Sequence, residues 1–316
     1  MKMNKKLHIG VIGVGHLGNF HLKQLLKIKN IILTGFYDTN LKRALEIEKK
    51  YNISNFLNIR ELLQISEAVT IVTPTSTHYK IAELALEYNC HIFIEKPITN
   101  NLKEAQTLIA IAKQKQRIIQ VGHIERFNPA FMALKKLNIN PRFIEVHRLA
   151  PFNTRGNDVP VILDLMIHDL DIISSLIPSK IINIKANGVK LISENIDIAI
   201  TRIEYENKCV VNLTASRISH KEMRKLRLFQ KNSYITLDFK KNKLEEYTIK
   251  NKPKNLKENN LISCKKYNVV IHDALKKELE HFIYSINNSL QPITDGNSAS
   301  FALELALKIK KIIEKK

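Results

Sequence analysis

The segment LHIGVIGVGHLGNFHLKQLLK, residues 7–27, leaves few architectures open. Residues 7–12 read as a short apolar strand, Gly13, Gly15 and Gly18 follow as G-x-G-x-x-G, and Phe20, Leu22, Leu25 and Leu26 then recur with a helical period. A strand that enters a helix through three glycines opens a doubly wound α/β sheet. The glycines supply a tight turn, close backbone approach to a pyrophosphate, and close packing of helix on strand. The helix start offers N–H groups and partial positive charge to the phosphates, which adds the amides of His16 and Leu17 to the turn. A second strand, IILTGFYD (31–38), ends on Asp38. This lies about 20 residues past the last glycine, where a carboxylate accepts both hydroxyls of an adenosine ribose and repels a 2′-phosphate. NAD is therefore the expected cofactor, in preference to NADP.

The alternation continues. Helix is expected at about 40–50, a short strand near 55–57, helix around 61–63, strand over 68–75, helix over 78–87, strand over 91–97, helix over 101–115 and strand over 118–122. Ligands of such a parallel sheet lie beyond the carboxyl ends of its strands. The segments there are TPTSTH (73–78) and EKP (95–97), so Thr73, Pro74, Thr75, His78, Glu95, Lys96 and Pro97 join the candidate cofactor site.

With 316 residues the chain suits two domains. The pattern changes after residue 150: a helix at 161–176 is followed by strand-like runs near 181–187, 197–205, 208–216, 225–231, 233–239 and 244–250, without helices between them. They predict an open, largely antiparallel sheet. Helices over about 271–287 and 298–315 should cover one of its faces, leaving the other for self-association. The expected division is a Rossmann domain at 1–123 and a substrate-binding and oligomerisation domain at 124–316. The last helix is a candidate to pack back on the Rossmann domain. NKPKNLKENN (251–260) reads as a charged, solvated connection.

Inside the helix at 161–171, VILDLMIHDLD, charges interrupt an otherwise apolar run. At 100° per residue, Asp164, His168 and Asp171 share one narrow stripe. A helix apolar on every other side is covered on every other side. The stripe is then a strip of solvent, an acid/base pair in a cleft, or a metal site. One histidine with no second ligand cluster weighs against metal.

Composition removes several classes. The net charge of +20 is spread over both halves: residues 1–150 carry 22 Lys/Arg against 11 Asp/Glu, and residues 151–316 carry 28 against 19. No basic domain, recognition motif or interleaved aromatic stripe points to nucleic acid. A basic surface still steers anionic substrates inward. Cys90, Cys209 and Cys264 form no C-x-x-C pair and suit a reducing cytoplasm. The first apolar run is broken by His8 and three glycines, unlike a signal peptide, and no run approaches the ~20 apolar residues of a membrane span.

GVGHLG, Asp38, TPTSTH, EKP and the D-x-x-x-H of Asp164 and His168 together resemble the Gfo/Idh/MocA oxidoreductase family, over most of the chain. The resemblance implies that Lys96, Asp164 and His168 act at the nicotinamide. Asn89 stands where the family commonly has glycine before the EKP strand, and asparagine tolerates the left-handed turn required. VGHIERFNPAF (121–131) and EVHRLAPFNTRGNDVPVILDLMIHDLD (145–171) further resemble the members that oxidise UDP-N-acetylglucosamine at the 3-hydroxyl, on the route to the 2,3-diamino sugars of lipid A. An anionic, polyhydroxylated substrate agrees with Arg148, Asn153 and Arg155, read as a loop beside the D-x-x-x-H helix, since arginine matches phosphate bidentately. Arg126 and Asn128 either join them or brace the hinge. Oxidising a carbinol needs a base and a stabiliser of alkoxide character. His168 is the candidate base, Asp164 its orienting partner or a sugar ligand, and Lys96 can share or exchange the base role. Two alternatives remain: a dehydrogenase of a free sugar or inositol, and a non-catalytic NAD-binding regulator.

Overall fold

The computed structural model describes residues 6–153, 159–249 and 262–315. The chain divides into two compact units, Met1–Ile124 with Asp273–Leu303, and Glu125–His272 with Glu304–Lys316.

In the first unit β1 (Leu7–Ile12), β2 (Ile31–Tyr37), β3 (Ala68–Ile71), β4 (His91–Glu95) and β5 (Ile119–Gly122) form a parallel sheet in the order β2-β1-β3-β4-β5. Helices α1 (His16–Leu25), α2 (Leu41–Tyr51), α3 (Ile59–Gln64), α4 (Thr75–Glu87) and α5 (Leu102–Gln114) make the connections. Parallel neighbours require such long crossovers. Every residue of β3 and β5 is buried, as strands covered on both faces must be. The chain leaves β1 towards β2 and returns on the other side to β3. Strand order therefore reverses between β1 and β3, which places a ligand crevice beyond their carboxyl ends. The strand expected near 55–57 is reduced to one bridge, Phe36 to Asn55. Asn89 does take the left-handed conformation, with φ of 59°.

The expected second region, 124–316, is not one continuous body. Helix α8 (Ala274–Asn288) places Leu279, Phe282 and Ile283 in the same core as Leu7, Ile9, Leu22, Leu25 and Phe93. Burying each such side chain is worth about 1.5–3 kcal/mol, which explains why the segment returns to the first unit. Gln120 on β5 adds a hydrogen bond from its Nε2 to the Glu278 carbonyl, 2.9 Å. Helix α9 (Gly296–Glu314) is counted with the first unit as far as Leu303 and with the second beyond it.

The second unit holds β6 (Phe143–Leu149), β7 (Ile181–Val189), β8 (Ile198–Tyr205), β9 (Val210–Ser216), β10 (Met223–Phe229), β11 (Ser233–Asp238), β12 (Lys243–Ile249) and β13 (Ile262–Lys266), in the order β13-β12-β11-β10-β6-β9-β8-β7. All neighbours are antiparallel except β6 and β9. One face is dry, formed by Ile144, Val146, Val211, Leu213, Leu226, Leu228, Ile235 and Leu237. Helix α6 (Pro129–Leu134) packs against β11 and β12, and a turn at Ile162–Met166 packs against β9. The opposite face carries a cross-strand row of half-buried rings. Phe143–Phe229, Phe229–Tyr234 and Tyr234–Tyr247 have centroids 5.6, 5.0 and 5.3 Å apart. The 251–260 connection lies outside the described residues. Among the described residues no helix is long and apolar enough to cross a membrane.

Candidate active site

The glycine turn after β1 meets the demands of its motif atom by atom. Gly13 has a φ of +89°, and a Cβ there would meet the Val72 carbonyl oxygen at 2.5 Å. A Cβ on Gly18 would lie 1.9 Å from the Gly13 carbonyl oxygen. These two glycines are packed against, whereas a Cβ on Gly15 would meet nothing within 4 Å. That open space leaves room for a diphosphate to approach the backbone. His16 and Leu17 are exposed, no side chain caps α1, and its first turn holds no acid, so the helix start suits an anion. Asp38 Oδ2 accepts the Val14 N–H at 2.7 Å and its Oδ1 accepts the Asn40 N–H at 2.8 Å. Each carboxylate oxygen keeps a lone pair for a ribose hydroxyl. The residues present thus fit a dinucleotide. Arg43 Nε donates to the Val14 carbonyl at 3.0 Å and steadies the turn. Sequence reasoning passed over it, although a cation in the helix following the ribose acid was a usable signal.

The segments after β3 and β4 are tied together by a buried imidazole. His78 on α4 places Nδ1 2.9 Å from the Pro97 carbonyl oxygen and Nε2 2.9 Å from that of Thr73. Burial lowers its pKa while the two carbonyls pull the other way. The ring is thus occupied by backbone rather than turned to a ligand. Pro74 caps α4 and Thr75 begins it, with Thr77 Oγ1 donating to the Pro74 carbonyl at 2.8 Å and lying 2.8 Å from Thr73 Oγ1. Glu95, at the end of β4, meets His21 of α1, a contact sequence reasoning also missed: Oε1 lies 3.0 Å from Nε2. Lys96 is partly exposed.

In the second unit the D-x-x-x-H segment is not one regular helix. Residues Ile162–Met166 form a π-helical turn, with the Ile167 N–H bonded to the Ile162 carbonyl, and α7 (Ile167–Leu176) continues from it. Wide turns of this kind recur at functional sites. Asp164 lies in the π turn and His168 in the first turn of α7, both partly exposed among buried Ile162, Met166, Ile167 and Leu170. Asp171 departs from the expected stripe: it is buried and held by Arg126, Nε to Oδ2 at 2.6 Å and Nη2 to Oδ1 at 3.0 Å.

Arg148 requires a larger correction. It stands on β6, a central strand, where alternation turns it to the dry face, and it is 3% exposed. Its Nε and Nη2 donate to Asp169, both at 2.8 Å, and Nη1 donates to Glu125 at 2.7 Å. Burial works against the charged guanidinium, yet Asp169 and Glu125 outweigh it and hold its pKa above the ordinary value. Burial pushes the Asp169 carboxyl up even beside the arginine. Buried, and with all three of its nitrogens donating to carboxylates, Arg148 is turned into the protein rather than towards a phosphate. Asn128 is likewise structural: Oδ1 accepts from the amides of Ala130 and Phe131, and Nδ2 donates to the Phe239 carbonyl at 3.0 Å. Asn153 is exposed, and Arg155 lies outside the described residues. Among the described residues no three His, Cys, Asp or Glu cluster as a metal site.

Residues 7–123 match the Gfo/Idh/MocA oxidoreductase family's NAD-binding Rossmann-fold domain, and residues 148–314 match its C-terminal alpha/beta domain. The chain belongs to this family. It is 35% identical over 314 residues to UDP-N-acetylglucosamine 3-dehydrogenase of Acidithiobacillus ferrooxidans, covering 98% of this chain and 97% of the relative. A solved structure of that enzyme superposes with a TM-score of 0.91, with 98% of both chains covered. The scyllo-inositol 2-dehydrogenase (NAD(+)) of Bacillus subtilis is 26% identical, over 96% of this chain and 93% of its own. The scyllo-inositol dehydrogenase of Lactobacillus casei, solved with NAD(H) and scyllo-inositol, shares the fold: TM-score 0.80, 20% identity, 98% of both chains.

Proposed function

We propose that the chain oxidises a nucleotide sugar, UDP-N-acetylglucosamine at its 3-hydroxyl, to the 3-keto sugar, with NAD as the acceptor, in the synthesis of 2,3-diamino sugars. The observation that carries this reading is the near full-length likeness to a UDP-N-acetylglucosamine 3-dehydrogenase. The sequence carries Lys96, Asp164 and His168, the residues to which the family resemblance assigns the chemistry. Bound NAD supplies the hydride acceptor, and Asp38 favours it over NADP by accepting ribose hydroxyls at the glycine turn. His168 takes the hydroxyl proton. Asp164, four residues earlier, orients the imidazole or holds a neighbouring sugar hydroxyl, and Lys96 stabilises alkoxide character or exchanges the base role with His168. Arg126 and Arg148 hold α7 through Asp171 and Asp169, which leaves Asn153 and Arg155 as the candidates for the diphosphate. The ring row on the open face of the second sheet is the proposed self-association surface. The unpaired thiols of Cys90, Cys209 and Cys264 suit a cytoplasmic setting.

The test is purified protein with NAD and, separately, UDP-N-acetylglucosamine, UDP-glucose, free N-acetylglucosamine and inositol, following absorbance of reduced nicotinamide. Turnover with UDP-N-acetylglucosamine well above the others is the expected result. Turnover confined to the free sugar or inositol, or none with any substrate while NAD binds, overturns the proposal.

A further inference from the structure

The His21–Glu95 contact lies wholly within the first unit and joins the two ends of the candidate cofactor site. His21 sits on α1, three residues after Gly18, and is 0% exposed. Its Nε2 is 3.0 Å from Glu95 Oε1, and its ring meets Phe93 of β4 edge-on with centroids 5.3 Å apart. Glu95 Oε2 in turn accepts the backbone N–H of Lys96 at 3.3 Å. On its other side the carboxylate lies over Gly122, its register partner on β5, where a Cβ would come within 2.8 Å of Oε2. The carboxylate is thus confined by α1, by β5 and by its own chain.

We propose that His21 is a positioning residue for Lys96: through Glu95 it fixes the backbone that presents the lysine, and it refers that backbone to the helix that receives the cofactor's phosphates. The proposal rests on the role assigned above to Lys96. Its physical content is rigidity. A glutamate on a strand end has three side-chain torsions, and a buried partner removes most of that freedom. Three titratable groups bear on Glu95: His21 from α1, Lys96 from its own segment and His78 from α4. Burial opposes the charge on Glu95, and the His21 hydrogen bond with the nearby Lys96 outweighs burial, so its carboxyl lies below the ordinary range. The glutamate therefore stays an acceptor for both donors across neutral pH. His21 is on the buried side of α1 one turn past the glycines, while the exposed residues of α1 are His16, Leu17, Phe20 and Lys23.

Two variants separate positioning from simple packing. His21→Gln keeps a donor near the place of Nε2, and His21→Leu keeps apolar volume without the donor. The expected result is that His21→Leu lowers kcat at least tenfold, with KM for NAD changed less than threefold, and moves the acid limb of the kcat–pH profile upward, because Glu95 loses the bond that keeps it ionised. His21→Gln should stay within threefold of the parent. In the Glu95→Gln background, His21→Leu should add no further loss. A readout independent of turnover is amide exchange in the peptide spanning 92–99, which should quicken in the Leu variant and recover in the Gln variant. Equal kcat in all three proteins with unmoved pH profiles overturns the proposal. So does equal loss in the Leu and Gln variants, or unchanged exchange. A parent protein that turns over none of the sugars would sink the functional reading alone, leaving the exchange measurement to judge His21.

Discussion

Replacing Arg148 by Met tests whether this arginine holds the helix or binds the substrate. Met keeps most of the stem volume and removes the charge, so Asp169 and Glu125 lose the donors that face them at 2.7–2.8 Å. Breaking a buried ion pair from one side costs about 3–5 kcal/mol, because a charge is left without compensation. The structure places this case at the lower end. Arg224, 3.8 Å from Glu125, still serves one of the two carboxylates, and burial has already pushed Asp169 towards its neutral form. The expected loss is therefore about 3 kcal/mol near neutral pH, read by urea unfolding. Its pH dependence follows from the sign of the shift. Without Arg148 burial acts on Asp169 unopposed by the guanidinium and holds its folded pKa above the unfolded one, so folding takes up a proton and the deficit shrinks as pH falls towards the ordinary carboxylate range. Turnover should fall through the placement of His168, which adjoins Asp169, while KM for the nucleotide sugar changes little. Unchanged stability together with a tenfold or larger rise in that KM would refute the reasoning and return Arg148 to the substrate.

Asp38→Arg should turn the NAD:NADP ratio of kcat/KM towards NADP, since a ribose acceptor becomes a phosphate partner; an unmoved ratio removes Asp38 from the ribose site. His168→Asn and Lys96→Met should each keep NAD binding in calorimetry and lower kcat by roughly 10²–10⁴-fold, and near-parental turnover in both would end the mechanism. His91 is held down to about 4 by burial and by Arg117, against an ordinary value of 6.5. The unfolded chain thus binds the extra proton between these values, and stability drops as pH falls through that window. His91→Asn, which can still accept the Ile118 N–H, should flatten this limb of a melting-temperature profile, and an unchanged slope would contradict the assignment. Phe229→Lys with Tyr234→Lys should convert any oligomer to monomer in sedimentation at unchanged melting temperature; an oligomer that persists excludes the ring row as its interface.

Much of the first unit could be read from one sequence because its signals are local. Gly13, Gly15, Gly18 and Asp38 lie within one strand–helix–strand passage, and each demand they meet is set by neighbours close in sequence. The second unit is harder to read because its determinants are partners far apart. Arg148 pairs with Asp169 and Glu125 across 21 and 23 residues, and nothing near Arg148 in the chain distinguishes a guanidinium turned to carboxylates from one turned to a phosphate. The alternation of Ile144, Val146 and Arg148 was the available sign of a strand, obscured because an arginine occupied a core-facing position. Similarly, 100° spacing placed Asp164, His168 and Asp171 on one stripe, and the π turn with the Arg126 pair divides them. A π turn depends on the packing around it, which periodicity does not register.

The return of Asp273–Leu303 to the first unit sets an order on biosynthesis. As the chain leaves the ribosome, residues 1–124 emerge with all five parallel strands but without Leu279, Phe282 and Ile283 to close their core. The middle of the second unit, 125–272, is synthesised without interruption before those residues appear. Domains usually mature in the order they are made. Here the amino-terminal sheet is begun first and finished only after α8 is made, so its exposed apolar face is what a nascent-chain chaperone would meet for most of translation.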